Sequence, residues 1–226
     1  MTPCHPHKLT YPKRRRTLGF GTAMEEIAHG IYHWRAFHEG IEADVHSHYL
    51  PDARALIDPM EPSEGLDWFA EHGPPERILL TNRHHYRHSG RFVDRFGCRV
   101  LCHKSGLHQF EGGPAVEGFD FGDEVAPGVI AREVDAICPE ETALHIEAGG
   151  GALSFADGVV RMGGPALSFV PDFLLGDDAE EVKRGLRAAF GRLAEELEFD
   201  ILLMAHGDPV IGGGREALRA FAEAGG

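Results

Sequence analysis

The sequence predicts an α+β protein in which two β-sheets pack together and helices cover their outer faces. Two observations favour this fold class. Short strand-like runs dominate the first half of the chain, and the second half continues with strands before a helix, a strand and a final helix. The length of 226 residues, of which 42% are hydrophobic, suits one domain with a substantial core.

The first half contains five strand-like segments and two short helices. Apolar and β-branched runs predict strands over residues 30–37, 43–50, 53–57, 77–81 and 98–103. Ser63 can cap a short helix that Gly73-Pro74-Pro75 ends, and apolar residues within 92–96 indicate a second helix. The run Arg77-Ile78-Leu79-Leu80-Thr81 is typical of a buried central strand.

The second half begins after an aperiodic stretch. Residues 105–127 contain many turn-forming glycines and prolines, so irregular structure is expected there. Strands are then predicted over residues 129–131, 142–147, 152–155 and 200–204. Gly149-Gly150-Gly151 is expected to connect two of them as a hairpin. The longest helix is predicted over residues 178–198, with acidic residues in its first turn, and a last helix over 215–224.

The charge distribution argues against several classes of partner. The net charge is −14, yet residues 1–23 carry five basic residues and no acidic one. An acidic body repels nucleic acid, and no apolar run approaches the roughly 18 residues of a membrane span, so neither partner is expected. We expect residues 1–23 to be a disordered basic extension and 24–226 to be the folded domain. Four cysteines without a C-x-x-C pair favour reduced thiols and a cytoplasmic location.

Polar loops follow three of the apolar strands, and loops at strand ends are where functional residues concentrate. The first loop is Asn82-Arg83-His84-His85-Tyr86-Arg87-His88-Ser89-Gly90, directly after Thr81. The second contains Asp157 and follows Leu153-Ser154-Phe155-Ala156. The third is Ala205-His206-Gly207-Asp208-Pro209. These loops are therefore the candidate functional segments.

In order and spacing, the three loops resemble the metallo-β-lactamase superfamily of metal-dependent hydrolases over almost the whole chain after the first 30 residues. Thr81 and the His-rich loop are similar to the signature T-H-x-H-x-D-H, and Ala55-Leu56-Ile57-Asp58 resembles the early strand that ends in Asp. Asp157 resembles the Asp that bridges two metals, and His206 the His of the closing G-H-G-x-P-V loop. The resemblance implies a metallo-β-lactamase-like domain, an αββα sandwich of two mixed β-sheets flanked by helices.

The first loop departs from the family signature. Asn82 replaces the first His, Tyr86 the Asp and Arg87 the adjoining His. Only His84 is kept. No His stands near Cys138, where the family has its middle His. Because two ions need more ligands than remain, a two-metal centre is not expected.

Two states of this degenerate site stay open. In the first, a single zinc or iron ion is bound by His84, His88, Asp157 and His206, where His88 follows His84 by four residues. In the second, which we favour, no metal binds because the Arg87 guanidinium repels a nearby cation and pairs with Asp157 instead. The chain has 15 His, most of which are expected to be solvated surface residues.

Each state predicts a different function. With one metal, the resemblance implies hydrolysis of an ester, thioester or phosphoester, with Tyr86 as proton donor or oxyanion partner, or alternatively as a packed aromatic ring. Without metal, Arg83, Arg87 and His84 would bind an anionic small molecule, which makes the chain a catalytically weak binding homologue. Tyr86 and Arg87 are thus the candidate catalytic residues. The sequence decides neither enzyme activity nor oligomeric state.

Overall fold

The computed structural model describes residues 22–162 and 164–224. The predicted basic extension therefore lies outside the described residues, apart from its last two positions. There the backbone N–H of Thr22 donates to the carbonyl of Arg35, 2.6 Å away, and the Thr22 hydroxyl accepts from the Arg35 N–H. No described helix has the length and apolar composition that a membrane crossing requires.

The first sheet contains seven strands in chain order. They are β1 (Glu25–Ala28), β2 (Ile31–His38), β3 (Ala43–Leu50), β4 (Ala55–Ile57), β5 (Arg77–Leu80), β6 (Arg99–His103) and β7 (Glu117–Phe119). Neighbours pair antiparallel from β1 to β4 and parallel from β4 to β7. Helices α1 (Asp67–His72) and α2 (Ser89–Phe96) bury Phe69 and Phe92 against Trp34 and Tyr49 of this sheet.

The second sheet contains six strands in the order β13-β12-β11-β10-β9-β8. They are β8 (Glu124–Ala126), β9 (Val129–Glu133), β10 (Thr142–Ile146), β11 (Ala152–Phe155), β12 (Ile201–Met204) and β13 (Val210–Ile211). Only β11 and β12 pair parallel. Helices α3 (Ala179–Glu196) and α4 (Gly214–Glu223) cover this sheet, and Phe190 of α3 packs on Phe155 with ring centroids 5.2 Å apart.

The predicted fold class is confirmed, because two mixed sheets pack together with helices outside. The hairpin predicted at Gly149-Gly150-Gly151 is also confirmed, since β10 and β11 pair antiparallel across it. The prediction of irregular structure over residues 105–127 is wrong in part. β7 and β8 lie there, but each has three residues and forms the edge of its sheet. Strands this short carry too few alternating residues to give a sequence pattern.

An apolar layer fills the space between the sheets and becomes polar at one end. Leu50 and Leu79 of the first sheet pack with Leu144 and Leu203 of the second. Each such buried side chain contributes roughly 1.5–3 kcal/mol to the free energy of unfolding. Beyond them, at the end of the molecule where β4, β11 and β12 finish, imidazole rings replace the aliphatic side chains.

These rings belong to His33 of β2 and to His46 and His48 of β3, which we call the histidine cluster. The side chains of His46 and His48 share a face because residues alternate along a strand, and His33 stands opposite His48 in the strand pairing. His33 Nε2 and His46 Nδ1 lie 2.8 Å apart, so one ring donates a hydrogen bond to the other. Burial lowers the pKa of His33 to about 4 and that of His46 to about 2.

The histidine cluster predicts that acid destabilises the fold. Below pH 6.5 the unfolded chain takes up protons on His33 and His46 while the folded chain does not, so the free energy of unfolding falls with pH. Each histidine contributes a slope of up to about 1.4 kcal/mol per pH unit, and neither contributes above pH 6.5. Urea unfolding at pH 7, 6 and 5 measures this slope.

The matched variants are His33→Gln and His29→Gln. The His29 side chain is 98% exposed, so its replacement should leave the slope unchanged, whereas His33→Gln should reduce it. An equal slope in His33→Gln and in the unmodified chain would contradict the explanation.

Candidate metal centre

The candidate site lies where strands of both sheets end. Asp58 directly follows β4, Thr81 follows β5, Asp157 comes just after β11, and His206 just after β12. Because β4 and β5 are parallel, and β11 and β12 are parallel, each sheet brings two of these carboxyl ends together. Ligand sites in sheets with parallel strands are typically at this edge.

A short 3-10 helix, Arg83–Tyr86, decides which histidine enters the site. The Asn82 side chain caps this helix by accepting a hydrogen bond from the His84 N–H at 3.0 Å. The resulting turn leaves His84 exposed on the surface and directs His85 inward, where it is only 5% exposed.

The His85 ring is held on both sides. Its Nδ1 lies 2.9 Å from Oδ2 of Asp58, and its Nε2 lies 3.5 Å from Oδ1 of Asp157. Asp58 is fixed in turn by the Thr81 backbone N–H, which donates to Oδ1 at 2.9 Å, and by the Thr81 hydroxyl. A carboxylate behind one imidazole nitrogen sets the ring orientation and presents the other nitrogen to the site.

His85, Asp157 and His206 together form what we call the ligand triad. His206 Nε2 lies 3.1 Å from Oδ1 of Asp157, and the three candidate ligand atoms all lie within 4.8 Å of one another. Within residues 22–162 and 164–224, no other group of three His, Cys, Asp or Glu side chains converges in this way. Two imidazoles and one carboxylate suit a single Zn²⁺ or Fe²⁺ ion.

The triad is strongly coupled electrostatically. Burial alone would lower the pKa of His85, but the carboxylates of Asp58 and Asp157 raise it to about 9. Burial acts to raise the pKa of Asp157, yet His85 and His206 hold it well below its ordinary range. Burial lowers the pKa of His206 in spite of the Asp157 charge. As long as no metal ion is bound, His85 is therefore an imidazolium between the carboxylates of Asp58 and Asp157.

Glu141 fixes the backbone of the loop that contains Asp157. This residue was not identified from the sequence. One of its carboxylate oxygens accepts hydrogen bonds from the backbone N–H groups of Asp157 and Gly158, at 2.9 and 2.8 Å. The other accepts from the Asn82 side chain at 3.0 Å. Burial, together with the Asp157 charge, raises the pKa of Glu141 to about 8. Glu141 thus ties Asn82 of the first loop to the second loop.

Arg87 joins the two sheets beside the triad. Its Nη1 donates to the carbonyl oxygens of His46 and Asp58, both at 2.7 Å, and its Nη2 donates to the Ala205 carbonyl at 3.4 Å. Its backbone has φ = 45°, a conformation that side chains other than glycine rarely adopt. Asp157 pairs with His85 and His206, so the Arg87–Asp157 pair expected from the sequence is not formed.

The other residues predicted for the site lie elsewhere. The His88 ring accepts a hydrogen bond from the Glu61 N–H at 3.1 Å, and neither His88 nor the exposed His84 belongs to the triad. Tyr86 packs in the aromatic cluster outside the first sheet, with its ring 5.9 Å from that of Phe110. Arg83 is buried and pairs with Glu140. Of the four predicted metal ligands, the structure thus brings together Asp157 and His206, with His85 as their third member.

The third loop is fixed by a close backbone contact. Gly207 has φ = 128°, and a Cβ atom there would overlap with the backbone of Arg161. The Arg161 N–H donates to the His206 carbonyl at 2.9 Å, and the Arg161 guanidinium binds the Pro209 carbonyl at 2.8 Å. The position of His206 therefore depends on the segment that contains Arg161.

Comparison with solved structures identifies the fold. DIM-1 metallo-β-lactamase is 12% identical with a TM-score of 0.67, covering 90% of this chain and 98% of its own. BJP-1, a subclass B3 metallo-β-lactamase of Bradyrhizobium japonicum, is 17% identical with a TM-score of 0.56 and covers 89% of each chain. A variant flavo di-iron protein of Thermotoga maritima is 14% identical with a TM-score of 0.63, covering 92% of this chain and 62% of its own.

No protein-family model and no curated protein sequence matches the chain. The structural likeness nevertheless extends over about nine-tenths of the chain in each of these comparisons. It agrees with the two mixed sheets of the described chain. The fold of this chain is the metallo-β-lactamase fold.

Proposed function

We propose that the chain is a mononuclear metal-dependent hydrolase of an ester, thioester or phosphoester. The observation that carries the proposal is the convergence of His85, Asp157 and His206 in front of the Asp58 carboxylate. A metal-binding histidine usually has a carboxylate hydrogen-bonded to its other ring nitrogen, as Asp58 is to His85 here. The names of the similar solved structures, metallo-β-lactamase and flavo di-iron protein, give further support for metal-dependent chemistry.

The donor set fits one ion and not two. Three nitrogen and oxygen donors are the usual protein contribution to a catalytic zinc site, which keeps a further position for water. The positions that would supply a second set hold Asn82, Tyr86 and Arg87, and the Arg87 hydrogen bonds are all directed to carbonyl groups. A bound ion at the triad supplies Lewis acidity, which activates water and stabilises the negative charge that develops during hydrolysis.

The residues around the triad have separable tasks. The Asp58 carboxylate accepts a hydrogen bond from Nδ1 of His85 and so directs His85 Nε2 into the site. Glu141 fixes the Asp157 backbone through two hydrogen bonds. Arg87 holds the strand ends of the two sheets together. For His85 to become a ligand, its Nε2 proton must leave, because a metal needs the neutral imidazole.

A second candidate function is binding of a small anionic molecule without any metal. It is favoured by the charge balance of the site, in which Arg87 and a protonated His85 neutralise the Asp58 and Asp157 carboxylates. Such a site needs no ion to compensate its buried charges.

Thermal unfolding distinguishes the two candidates. The protein is first dialysed against a chelator and then supplied with Zn²⁺ or, without oxygen, with Fe²⁺. An ion at 100 times its dissociation constant contributes about 2.7 kcal/mol, which raises Tm by roughly 5–10 °C for a chain of this size. The proposal expects this rise in the unmodified chain and its absence in Asp157→Asn. No rise with either ion would overturn it and leave the metal-free function.

Hydrolysis is tested on the metal-loaded protein with a chromogenic ester, a thioester and a phosphodiester. His206→Gln should reduce the rate on the accepted substrate at least 100-fold, because it removes a ligand of the ion. His29→Gln replaces an exposed histidine and should leave the rate unchanged. A rate that survives both chelation and His206→Gln would contradict the proposed reaction.

A further inference from the structure

The histidine cluster is not part of the ligand triad. It lies on the neighbouring strands β2 and β3, and two of its rings stack, with the centroids of His33 and His46 5.0 Å apart. The centroid of His48 lies 5.3 Å from that of His33. His46 and His48 are almost fully buried, at 4% and 1% exposure, whereas His33 is half-buried and faces solvent in part.

Three imidazoles in a sheet interior are costly without partners. None of the three forms an ion pair with a carboxylate of the described chain. Nε2 of His48 is buried and has no hydrogen-bond partner among the described residues. A buried polar group without a partner costs about 1–3 kcal/mol. An arrangement that serves packing alone would be better made from aliphatic side chains.

The nitrogen geometry is close to that of adjacent ligands on one ion. With metal–nitrogen distances near 2.0–2.1 Å, two ligand nitrogens are separated by about 2.9 Å at a right angle and by about 3.4 Å at the tetrahedral angle. His33 Nε2 and His46 Nδ1 are 2.8 Å apart, joined by a proton that an ion can replace. The His48 nitrogens converge less closely than those of the triad. His48 Nε2 is the third nitrogen of the cluster, and it has no hydrogen-bond partner among the described residues.

Charged groups of both signs lie near the histidine cluster. The Asp208 carboxylate acts favourably on a positive charge at His33. Arg35 acts against it, but Asp44 lies 3.8 Å from the Arg35 guanidinium and offsets part of its charge. Arg87 also acts against a positive charge at His46 and His48, while its guanidinium donates to carbonyl groups. Three neutral imidazoles without a carboxylate are the donors preferred by late first-row ions such as Cu²⁺ and Zn²⁺.

We propose that His33, His46 and His48 form a second metal site, for a late first-row divalent ion, which is separate from the ligand triad. This site does not depend on the proposed hydrolase function. It would bind its ion within the layer between the sheets, with His33 as the ligand nearest to solvent.

The test titrates the full chain with Cu²⁺ in the Asp157→Ala background, which removes one ligand of the triad. Cys4, His5 and His7 offer additional donors, so the stoichiometry is compared between variants. The proposal expects the chain to bind one equivalent of Cu²⁺ whose electron paramagnetic resonance spectrum shows nitrogen hyperfine structure. Adding His46→Gln should abolish the binding of this equivalent or weaken it at least 30-fold. Adding His29→Gln should preserve it.

Because His46 is buried, His33→Gln provides a second variant at a more exposed position of the same cluster. Circular dichroism checks that both variants are folded. Loss of the same equivalent in His33→Gln supports the site even if His46→Gln does not fold. Unchanged Cu²⁺ stoichiometry and spectrum in a folded His33→Gln would overturn the proposal, as would the absence of nitrogen coupling in the Asp157→Ala chain.

Discussion

Asp157→Ala should weaken zinc binding at the ligand triad at least about 100-fold. Asp157 is the member that contacts both others, since its Oδ1 lies 3.5 Å from His85 Nε2 and 3.1 Å from His206 Nε2. Its removal leaves two imidazoles without the carboxylate that provides the only negative ligand charge. Competition with a chromophoric chelator measures the dissociation constant.

The matched control for this substitution is Asp94→Ala, because Asp94 is exposed on α2 and has no ion pair among the described residues. Its zinc affinity should equal that of the unmodified chain. Asp157→Asn, which keeps the shape of the side chain, serves if the alanine variant is unstable. Zinc affinity within threefold of the unmodified chain in both Asp157 variants would refute the triad as the zinc site.

Arg87→Met should lower the free energy of unfolding by about 3–5 kcal/mol. The guanidinium donates to carbonyl groups of His46, Asp58 and Ala205, all of which belong to buried residues of two sheets. Methionine removes the donor of the His46 carbonyl and one of the two donors of the Asp58 and Ala205 carbonyls, which keep the Ser47 hydroxyl and the His46 N–H. It also removes a positive charge that acts on Asp58. The unusual Arg87 backbone conformation is as unfavourable for methionine as for arginine, so its cost does not change.

Urea unfolding at pH 7 measures this effect, and Arg91→Met is the control. Arg91 is 57% exposed and forms a surface ion pair with Glu61, so its replacement should change the free energy of unfolding by at most about 1 kcal/mol. A loss below 1 kcal/mol in Arg87→Met as well would show that its hydrogen bonds do not hold the sheets together.

The strands and the loops at their ends could be predicted because both depend on local pattern. The apolar run before Thr81 has no polar face, which indicates a central strand, and β5 does lie between two parallel neighbours. Asp157 and His206 each follow such a run directly, and they were identified because their loops resemble those of the metallo-β-lactamase superfamily. Residues 117–126 gave no such signal, since their two edge strands are too short to show alternation.

The identity of the inward-facing histidine could not be predicted. His84 and His85 are adjacent, and a shift of one residue in a 3-10 turn exchanges which of them is buried. That choice depends on the Asn82 cap and on Asp58, which lies 27 residues away from His85 in the chain. Glu141 was missed for the same reason, because its partners Asn82 and Asp157 are distant in sequence.

The contact between Gly207 and Arg161 connects the triad to a surface segment. Since no side chain lies between the two backbones, there is nothing at this junction that can deform and absorb a movement. A displacement of the strand-like segment around Arg161 is therefore passed directly to the imidazole of His206. A side chain at position 207 would force these two backbones apart and so alter the spacing of the three donor atoms.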